Sequence, residues 1–90
     1  MINAILGRID VFGTVVQFTR QEAAIVHTLT TAGIDGCSPE SLCLLIFKEH
    51  DEERAKTLGV HMCNIRKKLP SAVRSVYNPL RRVYVLEEIR

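Results

Sequence analysis

Aromatic side chains are scarce in this chain. Tryptophan is absent, and Tyr77 and Tyr84 are the only tyrosines, beside three phenylalanines. Proteins that bind single-stranded nucleic acid usually stack the bases on aromatic rings. The composition therefore disfavours that class of binding protein.

Long apolar runs are also lacking. No stretch approaches the roughly 20 apolar residues that a membrane-spanning helix needs. The segment Met1–Val11 interrupts its apolar residues with Arg8 and Asp10, and it lacks the layout of a secretory signal peptide. We therefore expect a cytoplasmic protein with no membrane partner.

Cysteine is limited to Cys37, Cys43 and Cys63, with no C-x-x-C pair. An odd count disfavours a disulfide framework. A metal site of His61, Cys63 and one further cysteine is the alternative, but these spacings fit no zinc pattern. We expect inert thiols and no cofactor. Since no motif places a nucleophile beside a base, we do not expect an enzyme.

Charge is distributed unevenly along a chain whose length, 90 residues, suits one domain spanning residues 1–90. Residues 1–53 have three basic and eight acidic side chains, whereas residues 54–90 have nine basic and two acidic ones. The balances of −5 and +7 sum to the net charge of +2. A basic C-terminal part favours a face that meets a polyanion. An ordinary solvated surface is the alternative.

The N-terminal segment Ile5–Phe18 predicts a small antiparallel hairpin. Ile9, Val11, Val15 and Val16 are β-branched, as strands favour. The turn is expected at Gly13-Thr14.

A first helix is predicted to begin at Thr19. Thr19 and Glu22 have the spacing of a capping box, in which each side chain bonds the other's backbone N–H. Gly33 is the residue at which we expect this helix to end. The expected apolar face comprises Ala23, Ile25, Val26, Leu29 and Ala32.

A second helix is predicted after Ser38, which can cap it, with Pro39 at the first helical position and Glu40 following. It is expected to end near Phe47 or Lys48. The side chains expected to face inward are Leu42, Leu45 and Ile46.

The third helix, Glu52–Leu69, has the clearest periodicity. Its apolar residues repeat at spacings of three and four, which places them on one stripe. The stripe comprises Ala55, Leu58, Met62, Ile65 and Leu69. The opposite face comprises Thr57, Val60, Asn64 and Lys67, flanked by Lys56, His61, Cys63 and Lys68. Pro70 ends the helix.

Residues Val73–Glu87 are predicted to form two strands, in which Ser75–Tyr77 and Val83–Leu86 flank a turn that contains Asn78 and Pro79. Arg81 and Arg82 lie near its tip. The order of hairpin, three helices and hairpin predicts an α+β winged helix-turn-helix, in which the last hairpin is the wing.

The third helix of a winged helix-turn-helix fits the major groove of double-stranded DNA, where every base pair presents a distinct pattern of donors and acceptors. The third helix combines an apolar stripe, short outward polar groups and flanking cations for phosphates. An arginine-tipped wing can reach the backbone or the minor groove.

The chain also resembles a family, the winged-helix effector domain of OmpR/PhoB-type bacterial response regulators, over roughly Asp10–Glu87. Val60–Leu69, VHMCNIRKKL, resembles the family's "VHIxxLRKKL". Val11–Glu22 resembles its strand, turn and "LTxxE" helix start, and Ser38–Leu42 resembles its "sreeL" segment. Arg82–Leu86 resembles the end of its "GxGYxL" wing.

Several positions depart from the family pattern. Gly59 stands where an acid is usual, and Asn64, preceded by Cys63, stands where many members read bases with arginine. The wing glycines are replaced by Arg81–Val83, and the N-terminal sheet is too short for four strands. We expect no receiver domain before this segment and therefore no control by phosphorylation.

The resemblance implies a sequence-specific, double-stranded DNA-binding transcriptional regulator of bacterial or phage origin. His61, Asn64 and Arg66 match positions where the family touches DNA, and Asn64 could pair with adenine. A homodimer that binds repeated half-sites is an alternative to a monomer. The residues expected at the DNA are Thr57, Val60, His61, Asn64, Arg66, Lys67, Lys68, Arg81 and Arg82.

The acidic segment between the second and third helices is a second candidate contact. Family members often present this loop to RNA polymerase, and its acids are Glu49, Asp51, Glu52 and Glu53. Helix capping is the simpler role for them. The alternative function for the whole chain is a winged-helix protein-docking module, such as a phage or plasmid product that binds a host regulator or RNA polymerase.

Overall fold

A computed structural model describes residues 7–89 of the chain. They form a small α+β domain with an N-terminal β-hairpin, three helices and a C-terminal β-hairpin, which confirms the predicted fold class. None of the described helices could span a membrane. The elements are β1 (Arg8–Val11), β2 (Thr14–Gln17), α1 (Arg20–Ala32), α2 (Pro39–Phe47), α3 (Glu52–Lys68), β3 (Val73–Asn78) and β4 (Val83–Glu88), with a 3₁₀ turn (Gly33–Asp35) after α1.

The turn of the N-terminal hairpin lies one residue earlier than predicted. Phe12 and Gly13 form it, both with positive φ, and Thr14 already belongs to β2. The carboxylate of Asp10 accepts a hydrogen bond from Gly13 N at 2.8 Å and closes this turn. Positive φ at both central residues suits the right-handed twist of the two strands. The predicted start of the hairpin, Ile5 and Leu6, lies outside the described residues.

Helix α1 begins and ends as predicted. Glu22 N donates to Thr19 Oγ1 at 3.3 Å, and Thr19 N donates to Glu22 Oε1 at 2.9 Å, so the capping box is complete. Gly33 ends the helix with φ at +62°, and its N–H donates to Leu29 O. Four of the five expected apolar side chains are buried: Ala23, Ile25, Val26 and Leu29. Ala32 is half-buried.

Helix α2 is capped by Ser38, whose Oγ accepts from Ser41 N at 3.1 Å. The prediction for its inner face is partly wrong. Leu42 and Cys43 are buried and Ile46 packs against the core, but Leu45 is exposed. Because Leu42, Cys43 and Ile46 together define the packed side of this short helix, Leu45 points away from it.

Helix α3 is continuous, as predicted. Asp51 caps it, and Leu58, Met62 and Ile65 are fully buried against the rest of the core. Leu69 is half-buried and packs on the same core. Ala55 is exposed, contrary to the prediction, because the buried seam of α3 begins one turn later, at Leu58.

The C-terminal hairpin begins at Val73, as predicted, and ends at Glu88, one residue later than predicted. β3 and β4 pair antiparallel, with Tyr77 opposite Tyr84 and their rings 5.1 Å apart. Cys37 adds a third short element, since its N–H and carbonyl exchange hydrogen bonds with Tyr84 at 2.9 and 2.8 Å. Gly36 permits this approach, because a Cβ there would overlap the carbonyl oxygen of Tyr84. The wing is therefore anchored to the segment between α1 and α2.

Candidate nucleic-acid interface

The solvent face of α3 follows from its buried side. Side chains advance by about 100° per residue, so burial of Leu58, Met62 and Ile65 turns a different set outward. Val60 is the apolar member of that set and is 59% exposed. The outward set comprises Lys56, Val60, Cys63 and Lys67, all exposed.

Three further predicted contacts lie along the edge of this face. Thr57 is exposed, and its hydroxyl donates to the carbonyl of Glu53 at 3.1 Å, within the helix. Asn64 is half-buried. His61 is also half-buried, and its ring stacks on Phe47 of α2 with centroids 6.1 Å apart. This stack fixes one edge of α3 against the end of α2.

The last turn of α3 has three cations with different surroundings. Lys68 Nζ lies 2.6 Å from Oε1 of the buried Glu22, so its charge is satisfied within the domain. Arg66 and Lys67 are exposed, and neither has an ion pair with any residue between 7 and 89. Two of these three cations are therefore available to an external anion.

The tip of the wing, Asn78–Arg82, is held by a network centred on Asn78. Its side-chain oxygen accepts from Leu80 N at 3.0 Å and from Arg81 N at 3.2 Å. Its backbone carbonyl accepts from Arg82 N at 2.7 Å. An asparagine that bonds the backbone of the following residues stabilises a turn. The tip thus has a defined conformation without any ligand.

Arg81 connects the tip to the 3₁₀ turn. Its guanidinium donates to the carbonyl oxygens of Ile34 at 3.0 Å and Asp35 at 3.2 Å. The Asp35 carboxylate is 3.8 Å away, a looser ion pair. The sequence predicts a DNA contact for Arg81, whereas the structure places its charge in contacts that brace the wing.

Arg82 differs from its neighbour. It has a left-handed backbone, with φ at +57°, and an exposed side chain that makes no ion pair with the described part of the chain. A non-glycine residue with positive φ is uncommon and is tolerated here because Arg82 N closes the turn onto Asn78. Arg82 is therefore the free cation of the wing tip.

The wing lies next to α3, which contacts β3. Burial raises the pKa of the Tyr84 phenol, and the positive charge of the Arg66 guanidinium opposes that change.

The acids between α2 and α3 have structural partners. Asp51 Oδ1 accepts from Arg54 N at 2.8 Å and caps α3. Arg54 pairs with Glu49 at 3.2 Å and with Glu53 at 3.5 Å. Glu52 is exposed in the first turn of α3, where the helix dipole favours a negative charge. Three of the four acids are therefore engaged within the loop and helix.

No protein-family model matches this chain. A search of curated proteins likewise finds no significant relative.

The cysteines present no metal site among residues 7–89, where no three candidate ligand side chains are grouped to hold an ion. All three are free thiols. Burial raises the pKa of Cys37 and of Cys43, which keeps both protonated near neutral pH. Cys63 instead lies on the exposed face of α3.

Sequence reasoning underrated two residues of this face. The sequence predicts Lys56 and Cys63 as flanks of a face that includes Asn64, but both are more exposed than Asn64. The spacing of Leu58, Met62 and Ile65 is the sequence signal for Lys56 and Cys63, because the exposed face lies opposite these three residues on the helix. Including Ala55 in the apolar stripe shifts the predicted exposed face away from its true position.

Proposed function

We propose that this chain is a double-stranded DNA-binding domain that inserts α3 into the major groove. The observation that carries the proposal is the set of free cations around the exposed face of α3. Arg66 and Lys67 lie in its last turn, Lys56 lies near its start, and Arg82 lies on the adjoining wing. Cations for phosphates are the main source of affinity for a duplex.

A cation can bind a phosphate more readily when no acidic side chain of the domain pairs with it. The acids Glu22, Asp35 and Glu87 bind Lys68, Arg81 and Arg74 respectively, so several of the basic residues are already neutralised. Of the seven described basic residues that no described acid neutralises, four lie on α3 and the wing, namely Lys56, Arg66, Lys67 and Arg82, and the other three are Arg8, Arg20 and Lys48. A face of this kind attracts a polyanion at long range and holds it at contact distance.

Base reading is assigned to the exposed face of α3 and to the edge that adjoins it. The methyl groups of Val60 suit the methyl group of thymine, and the amide of Asn64 suits the N6/N7 edge of adenine. Thr57 and His61 are the further candidates for base or sugar contacts. Arg66, Lys67 and Arg82 are assigned to phosphates, with Arg82 directed to the backbone or the adjacent minor groove.

The resemblance of Val60–Leu69 to the OmpR/PhoB effector domains supports the same assignment. It adds the role of a transcriptional regulator, which a DNA-binding face alone does not specify. Within that role the chain needs neither a cofactor nor a catalytic group. A homodimer on repeated half-sites is compatible with it.

The direct test is selection of duplexes from a random-sequence pool by the full chain, followed by footprinting of the selected site. The proposal expects protection of one major groove and the adjoining minor groove. Single-stranded DNA of the same sequence should bind more weakly, since the described face offers no aromatic platform. Failure to retain any duplex at low salt would contradict the proposal.

A second candidate function, protein docking, is favoured by the outer side of α2. Leu44 and Leu45 are 47% and 44% exposed, side by side, close to the acidic segment that precedes α3. An exposed apolar pair on the helix that leads into this acidic segment suits a protein partner, RNA polymerase or another regulator. Leu44→Ser combined with Leu45→Ser should abolish partner binding and spare duplex binding, if both surfaces operate.

A further inference from the structure

The most exposed large apolar side chain among residues 7–89 lies at the tip of the wing. Leu80 is 95% exposed, although it occupies the centre of a well-ordered turn. Ile34, on the adjoining 3₁₀ turn, is 84% exposed. Scattered apolar side chains are common on protein surfaces. The position of Leu80 on a fixed, projecting tip is what distinguishes it.

The tip is organised before any ligand arrives. Leu80 N and Arg81 N both donate to the Asn78 side chain, and Arg82 N closes the turn. The Arg81 guanidinium fastens the tip to the carbonyls of Ile34 and Asp35. Little ordering entropy then remains to be lost when Leu80 contacts a ligand, which favours binding by a preorganised group.

The surroundings of Leu80 select the chemistry of its partner. Arg82, two residues away, has an exposed guanidinium that makes no ion pair with the described part of the chain. Leu80 and Ile34 alone fall far short of the roughly 800 Å² per partner that a stable protein interface buries. One apolar side chain beside a free cation instead matches the wedges with which minor-groove proteins part a base step.

We infer that Leu80 is a wedge that enters the minor groove of the bound duplex and partly unstacks one base step, while Arg82 contacts the adjoining phosphates. The inference rests on the proposed function and adds a bend to it. The unstacking cost is offset by the closer fit of the bent duplex around the wing.

The experiment uses a duplex selected by the full chain, with a fluorescence donor and acceptor at its two ends and 2-aminopurine at successive steps of the footprinted minor groove. Energy transfer reports bending, and 2-aminopurine emission reports unstacking. For the native chain we expect a bend of about 20–90° and raised emission at one step. Leu80→Ala should lose both signals, with a change in affinity of less than about tenfold.

Two further variants sharpen the result. Ile34→Ala removes a similarly exposed apolar side chain beside the tip and should keep the bend. Leu80→Met keeps a long apolar side chain and should also keep it. A native complex that binds without bending, or a bend that survives Leu80→Ala, would overturn the wedge alone. Absence of duplex binding by the native chain would overturn the proposed function and the wedge together.

Discussion

Lys68 and Glu22 form an ion pair that joins the end of α3 to the start of α1. Lys68 Nζ lies 2.6 Å from Glu22 Oε1, and the same carboxylate oxygen accepts the Thr19 N–H of the capping box. Glu22 is the only charged side chain that is buried among the described residues. These two partners therefore compensate the carboxylate for the water contacts that it loses on burial.

Lys68→Met should destabilise the domain. The substitution preserves most of the apolar stem but leaves the Glu22 carboxylate with its Thr19 contacts alone, which we expect to lower the free energy of unfolding by about 1–3 kcal/mol. Urea denaturation followed by circular dichroism measures the change. Lys67→Met is the matched control, because Lys67 is exposed and has no ion pair with a described residue, and it should change stability by less than about 0.5 kcal/mol. Equal effects of the two substitutions would show that the ion pair contributes nothing.

Acidification should remove the stability that the Lys68–Glu22 ion pair contributes. Burial raises the pKa of Glu22, but the hydrogen bond and charge of Lys68 and the hydrogen bonds of Thr19 outweigh it, so the pKa lies below its ordinary 4.5. A carboxyl with a depressed folded-state pKa stabilises the fold above its unfolded-state pKa, and this stability is lost as the pH falls through the folded-state value. The stability difference between the native chain and Lys68→Met should thus be constant near neutral pH and shrink below pH 4.5. A difference that persists undiminished at strongly acidic pH would refute this.

Arg81→Met should loosen the wing tip. It removes the hydrogen bonds to the Ile34 and Asp35 carbonyls, and we expect amide exchange of Arg82 to accelerate by about tenfold, equivalent to about 1.4 kcal/mol. Hydrogen exchange followed by NMR measures this protection. Arg82→Met, one residue away and free of such bonds, should leave exchange at the tip nearly unchanged. Unaltered exchange in Arg81→Met would mean that Asn78 alone holds the turn.

Asn64→Ala should separate specificity from general affinity. A bidentate base contact contributes about 1–3 kcal/mol of discrimination, so binding to the best selected site should weaken by that amount, while binding to random duplex changes much less. Competition titrations with both duplexes measure the ratio. His27→Ala, an exposed substitution on α1 outside this face, is expected to leave that ratio nearly constant. Equal losses on the two duplexes would place Asn64 outside base readout.

The helix boundaries could be predicted because they are encoded locally. The capping box of Thr19 and Glu22, and the Ser38-Pro39 start of α2, depend on residues three positions apart at most. The inner face of α2 was less predictable. Leu45 and Cys43 are both apolar by composition, and only the packing of three helices decides which of them is buried.

The candidate site was predictable in outline and not in its contacts. Periodicity along α3 indicates an exposed face, but it cannot reveal that Lys68 forms an ion pair with Glu22, 46 positions earlier in the chain. Arg81 likewise bonds the Ile34 carbonyl, 47 positions away. Long-range partners of this kind distinguish a structural cation from one that can meet a phosphate.

The most direct test of the DNA-binding proposal is the salt dependence of duplex binding by the full chain. Three or four phosphate contacts, from Lys56, Arg66, Lys67 and Arg82, predict a slope of about −3 in log affinity against log salt. Lys67→Ala and Arg82→Ala should each reduce the magnitude of that slope by about one. Arg74→Ala is the control and should leave it nearly unchanged, because Arg74 already pairs with Glu87. A slope near zero, or one that neither substitution alters, would contradict the assignment of this face to DNA.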